Sequence, residues 1–347
     1  MIVQSNSPLQ NPPKDYAPAN SVNWFTIPEG YDAGKTLFYF DHLTKENIAP
    51  EATIVFVHGN PESSYTYRHI RDTLIASDRA LRIVAMDHIG LGLSDQADYE
   101  MLDMHHSKHV KQLIQHLDLR NVTLVVHDWG GPIGIGAFMD EPERVSALLV
   151  MNTTVFPMPD DGLTYKNYPF PWLPWYLTPY LIPDSLWGGM AAKAVPNAHK
   201  QSTLAFAIGA AKWLTKHALN NIDANSPEYV FSQMLRSKAN GKSSKRNVHQ
   251  TPYWGHGYSY TDKRHGTQDN RALYQQIQST IHAVWKDIPA CGYFGQWDAC
   301  GKDSVIAQWH HALPQMKENT HIFPDIGHFI EEYKGEEMGT SILKMLS

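Results

Sequence analysis

Four short apolar runs, each ending in a turn and followed by a helical pattern, constrain this chain more than any other feature. "ATIVFVHG" (52–59), "LRIVAMDHIGLGLSD" (81–95), "VTLVVHD" (122–128) and "SALLVMNTT" (146–154) read as strands with their trailing loops. "YTYRHIRDTLIAS", "DMHHSKHVKQLIQHLDL" and "GPIGIGAFMDEPERV" read as the helices that alternate with them. The strands are nearly all apolar rather than alternating apolar and polar. A strand of that kind is buried on both faces, so the pattern predicts an α/β class with a mostly parallel central sheet and helices on both faces.

The style changes at Val155. From there to about Trp285 the chain is rich in Pro, Trp and Tyr, with helical stretches such as "TLAFAIGAAKWLTKHAL". The α/β style returns with "IPACGYFGQWDACG" (288–301) and "THIFPDIGHFIEEY" (320–333). We therefore expect a core of residues 1–154 and 286–347, split by an inserted, mainly helical cap of residues 155–285. Within that cap "RSKANGKSSKR" (236–246) carries five basic residues and no acidic one. It reads as a solvated loop, or else as a docking patch for a partner or a membrane surface.

Composition removes several classes. The net charge of −6 argues against a nucleic-acid partner. No apolar run reaches the ~18 residues of a membrane span. The N-terminus lacks a basic segment followed by an apolar one, so a cytoplasmic location is expected. Two cysteines, Cys291 and Cys300, make no disulfide framework and are expected to be reduced thiols.

Sites in open α/β sheets form outside the carboxyl ends of the strands. Four such ends carry polar groups: Asn60, Asp128 with Trp129, Asp298 and His328. "VVHDWGGP" (125–132) places Asp128 in a sharp strand-to-helix turn, where a serine nucleophile is the usual expectation. A carboxylate there attacks an electrophilic sp³ carbon without prior deprotonation and forms an ester to the enzyme. Hydrolysis of that ester needs activated water, for which His328 is the base and Asp298 the residue that orients it. The order nucleophile, acid, histidine is kept along the chain. Asn152 and Thr153, after the fourth strand, cannot supply an anion, and Asp325 reads as a turn residue. Helix capping is the plainer role for Asp128. The indole N–H of Trp129 and the amide of Asn60 are neutral donors suited to a large, weakly hydrated leaving anion such as a halide. Their backbone N–H groups are placed for an oxyanion hole. The scheme needs no metal or organic cofactor. Its partners are a small apolar halogenated substrate, water and halide, and it leaves oligomerisation open.

"VFVHGNPESSYTYRHI", "MDHIGLGLSD", "VVHDWGGP", "GQWDACG" and "DIGHF" together resemble the haloalkane dehalogenases of the α/β-hydrolase superfamily. The resemblance covers roughly 25–154 and 286–347, and the cap only in general character. It implies an aspartate nucleophile at Asp128, a histidine base at His328, an acidic partner at Asp298 and a halide pair at Asn60 and Trp129. The acid after the later strand is similar to the third dehalogenase subfamily; the second has a glutamate in the region of Asn152. Related machinery serves other reactions. The β-lactone decarboxylases of long-chain olefin synthesis share the motifs, and coelenterazine luciferases share the scaffold. Epoxide hydrolases share "HDWGG" and use cap tyrosines, for which Tyr165, Tyr168, Tyr176, Tyr180 and Tyr253 are available. A small-molecule receptor on a retired hydrolase fold is the non-enzyme alternative.

Overall fold

Strand side chains point alternately to opposite faces, and here both faces are covered. The computed structural model describes residues 3–4, 6–184, 187–188, 200–219, 221, 223, 226–234 and 238–346. Its central sheet is built from β1 (Val22–Thr26), β2 (Thr36–Leu43), β3 (Ala52–Val57), β4 (Leu81–Met86), β5 (Val122–His127), β6 (Val145–Met151), β7 (Ala290–Gly295) and β8 (Thr320–Phe323), in the order β1-β2-β4-β3-β5-β6-β7-β8. Pairing is parallel from β4 to β8, and β1 and β2 add an antiparallel edge.

Among the described residues, the helices of eight residues or more are α1 (Arg68–Ile75), α2 (Asp103–His116), α3 (Gly130–Phe138), α4 (Thr203–Ala218), α5 (Pro227–Met234), α6 (Lys238–His249), α7 (Arg271–Trp285), α8 (Asp303–Ala312) and α9 (Glu331–Met345). Ile54, Phe56, Ile83, Val125 and Leu149 point to one face and pack with Ile70, Leu74, Met338 and Ile342 of α1 and α9. Their strand neighbours Val55, Val57, Val84, Val126 and Val150 point to the other and pack with Val110, Ile133 and Ile277 of α2, α3 and α7. The near-continuous apolar strands thus serve two cores at once. α7 lies directly on the α/β layers: Trp285 Nε1 donates to the carbonyl of Pro142, and Tyr274 Oη to Asp103.

One expectation is corrected. Lys238–His249 is helix α6, not a solvated loop; Arg236 and Ser237 lie outside the described residues. Asn240, Ser243, Ser244 and Lys245 are buried. Asn240 Oδ1 accepts from Ala97 N, and Ser243 Oγ from Met101 N. Lys245 Nζ donates to Ile182 O and to Asp184, and Arg246 Nε to Glu100. The polar residues that suggest a loop are here satisfied partners between segments 96–101 and 182–184, and tertiary hydrogen bonds override weak helical patterning. Among the described residues, no helix is long and apolar enough to cross a membrane.

Candidate active site

The site begins with a backbone held against its preference. Asp128 follows β5 with φ +50°, a left-handed conformation uncommon for a residue with a side chain. It is fixed on three sides. Thr153 Oγ1 donates to Asp128 O at 2.5 Å. The next two positions allow no side chain: a Cβ on Gly130 would meet the carbonyl of Val57, and one on Gly131 the hydroxyl of Thr153. α3 therefore starts hard against β3 and β6, and the Asp128 carboxylate is lifted over the sheet end. It does not cap α3; Asn60 N donates to its Oδ1 at 2.7 Å.

His328 comes from the turn between β8 and α9. Its Nε2 lies 3.2 Å from Asp128 Oδ2, and its Nδ1 makes a very short contact with Asp298 Oδ2. Asp298, wholly buried after β7, also accepts from Cys300 N at 2.7 Å and from Tyr165 Oη at 3.2 Å. Burial alone pushes His328 down. The opposing charge of Asp298 and the hydrogen bond to Asp128 outweigh it, and the imidazole is raised well above its ordinary value.

A cavity of about 40 Å³ lies over this series, lined by Asn60, Pro61, Asp128, Trp129, Tyr165, Tyr168, Trp175, Thr251, Trp254, His328 and Phe329. That volume holds a few waters or one large anion. One wall is an aromatic stack, with Trp129 on Trp254 at 3.9 Å and Trp254 on Tyr165 at 5.7 Å. Trp254 Nε1 is taken by Thr154 O. The Trp129 indole N–H donates to no other described residue. Asn60 Nδ2 spends one of its two N–H bonds on Ser244 O of α6, at 3.1 Å. The five residues singled out in the sequence are thus brought to one place. Of the five cap tyrosines, Tyr165 and Tyr168 line the cavity; Tyr180 and Tyr253 are exposed.

Several residues here carry no motif signal. Behind the site His127 Nδ1 lies 2.6 Å from Glu62 Oε1, its Nε2 lies 3.7 Å from Glu331 Oε2, and all three are fully buried. His127 stands 4.7 Å from His328, ring to ring, and its Nε2 bonds His328 O. Burial opposes its charge, but Glu331 and Glu62 raise it to about 9. Glu331 itself is raised to about 7 by burial, against the pull of His127. Asn152, in the second subfamily's acid position, clamps two loops: its Nδ2 donates to Gly327 O and His328 O, and its Oδ1 accepts from Gly295 N. An apolar strand ending in histidine, beside "HGNPE", was the available signal for His127 and Glu62; only the distance makes them a pair.

Residues 52–334 match the family model of the alpha/beta hydrolase fold. The chain belongs to the α/β-hydrolase family. It is 28% identical over 293 residues to a cis-3-alkyl-4-alkyloxetan-2-one decarboxylase of Shewanella oneidensis, which is 83% of this chain and 80% of that one. Over 97 residues it is 43% identical to a haloalkane dehalogenase of Agrobacterium fabrum, 28% and 31% of the two chains. The tetrameric haloalkane dehalogenase DpaA of Paraglaciecola agarilytica NO2 shares the fold, with TM-score 0.67 and 23% identity over 99% of this chain and 94% of that one. This α/β-hydrolase is therefore similar both to dehalogenases and to a decarboxylase.

Proposed function

We propose that this α/β-hydrolase is a haloalkane dehalogenase that works through an aspartyl ester. The observation that carries the reading is Trp129, whose indole N–H has no partner among the described residues, lining the same small cavity as Asp128 and Asn60. Asp128 attacks the sp³ carbon, the C–O bond forms as the carbon–halogen bond breaks, and the halide leaves toward Trp129 and Asn60. Esterification removes one of the two negative charges that hold the His328 proton. His328 then releases that proton to solvent; the neutral imidazole takes a proton from water, and hydroxide adds to the Asp128 acyl carbon. The Asn60 backbone N–H, already on Asp128 Oδ1, and that of Trp129 stabilise the resulting oxyanion. Collapse releases the alcohol and restores the carboxylate, with one halide and one proton as the other products. Of the inserted residues 155–285, those before α7 serve as the cap that closes this chemistry from solvent, and Asn60 is tied to that cap through Ser244.

A second reading, β-lactone decarboxylation, is favoured by the Shewanella relative, whose match spans most of both chains. An epoxide reading is weaker, because the Tyr165 hydroxyl is turned to Asp298. Incubation with bromoalkanes of several lengths, reading bromide and alcohol, tests the first proposal against an Asp128→Ala control. Catalytic bromide release absent from the control is expected. No release from folded protein, with CO₂ and alkene formed from a cis-disubstituted β-lactone, would transfer the assignment to the second reading.

A further inference from the structure

Helix α4 is apolar on two opposite faces, and the protein covers one of them. Phe206, Gly209, Ala210 and Trp213 are partly buried, Trp213 against the core. Leu204, Ala207, Ile208 and Ala211 follow the spacing i, i+3, i+4, i+7, which places them on one stripe. All four are exposed, Leu204 by 70% and Ile208 by 47%. Lys212 and Lys216, also exposed, lie along one margin of that stripe, and residues 200–219 contain three lysines and no Asp or Glu.

The covered face of α4 is linked to the candidate site by ring contacts. Phe206 meets Phe170 edge to face at 5.2 Å, and Phe170 stacks on the exposed Trp172 at 5.4 Å. Phe170 also contacts Trp297, which contacts the cavity-lining Tyr168 at 5.9 Å. An unbroken aromatic series runs from the outer surface to the cavity wall.

We propose that the exposed face of α4 docks on an anionic lipid surface. An apolar stripe flanked by lysines suits the boundary between headgroups and acyl chains. Charge favours this occupant over a second copy of the chain. A two-fold pairing would set the same patch against itself and bring Lys212 and Lys216 of both copies together with no acid in 200–219 to meet them. Anionic headgroups supply the complement.

Co-sedimentation of the full chain with phosphatidylcholine vesicles, with and without phosphatidylglycerol, tests the inference. Binding that needs phosphatidylglycerol and falls with salt is expected. Lys212→Ala with Lys216→Ala should weaken it roughly 25-fold, about fivefold per lysine. Leu204→Ser with Ile208→Ser should abolish it while the thermal midpoint stays near that of the parent chain, and neither pair touches the cavity. Protein that stays in the supernatant with phosphatidylglycerol vesicles overturns the proposal. So does binding that the variants leave intact. Self-association in sedimentation velocity that Ile208→Glu removes overturns it too, and assigns the stripe to a second copy.

Discussion

Two groups of buried histidines sit within one molecule and are driven in opposite directions. His127 and His328 stand among carboxylates, and both are raised. His58, His88 and His106 stand among one another, with ring centroids 4.1 Å and 4.9 Å apart along the file. There burial is the leading cause, His88 adds to it at His58 and His106 and His109 at His88, and His58 and His106 fall well below the ordinary value while His88 drops to about 4. Burial is common to both groups, so it does not decide the sign. The nearest anion does. One group is equipped to hold and pass a proton beside Asp128, and the other is neutral packing on the β3–β4 side of the same strand ends.

The largest effect comes from removing the imidazole at the centre of the first group. On the proposed mechanism, ester formation should persist in His328→Gln while water activation is lost. Turnover should fall by about 10²–10⁴-fold, the usual range for a general base. Intact-mass measurement with a bromoalkane should show protein heavier by one alkyl group. A variant that turns over normally, with no adduct, removes His328 from the mechanism.

Next comes the anion behind the site. Glu62→Gln takes the close carboxylate from His127 and leaves Glu331 at 3.7 Å as the remaining one. Breaking a buried pair by deleting one partner costs about 3–5 kcal/mol. Urea unfolding should show a loss of that order, and the elevated pKa of His127, read by NMR, should fall. If stability is unchanged, the pair does not hold this region together.

The two groups also predict opposite limbs of one stability curve. The depressed imidazoles bind fewer protons in the folded state than unfolded. Their stability is present above about 6.5 and is lost as pH falls through about 4, where His88 titrates. His127 binds more protons when folded; its contribution is complete below about 6.5 and is lost as pH rises through about 9. Thermal midpoints across pH should therefore decline on both sides of neutrality. Replacing His106 with Phe should flatten the acid limb alone, and Glu62→Gln the alkaline limb alone. A variant that flattens the opposite limb breaks the contrast.

The same distinction marks what sequence conveys. β3 to β6 are legible because both faces of each strand are apolar. β1 and β2, the antiparallel edge, lie outside the series of alternating elements that begins at residue 52. Asp128, Asp298 and His328 stand out because each follows a strand, and the fold brings strand ends together. Helix α6 is illegible because "KANGKSSKRNVH" carries no apolar stripe and its buried polar residues find partners far away in the chain. The Glu62–His127–Glu331 set spans 270 positions and exists only as distances. Nineteen histidines are visible in the sequence, but which of them face an anion is a property of the fold.

The smallest change probes how the cap reaches the first group. Tyr165 Oη donates to Asp298 Oδ1, opposite the oxygen that meets His328, and contacts Cys300 Sγ at 3.3 Å. That bond draws electron density from the carboxylate and moderates its hold on the imidazolium. In Tyr165→Phe the Cys300 N–H still supports Asp298, so the acid stays in place. The net stability cost should be about 1 kcal/mol, one hydrogen bond. The Asp298 carboxylate then holds the imidazolium more tightly and raises His328 further, so more alkaline solution is needed to make the imidazole neutral. The pH–rate profile for ester hydrolysis should shift upward with its maximum reduced less than tenfold. A merely structural tyrosine would lower the whole profile without moving it. A shift would mean that the cap contributes to the proton affinity of the site as well as to its shape.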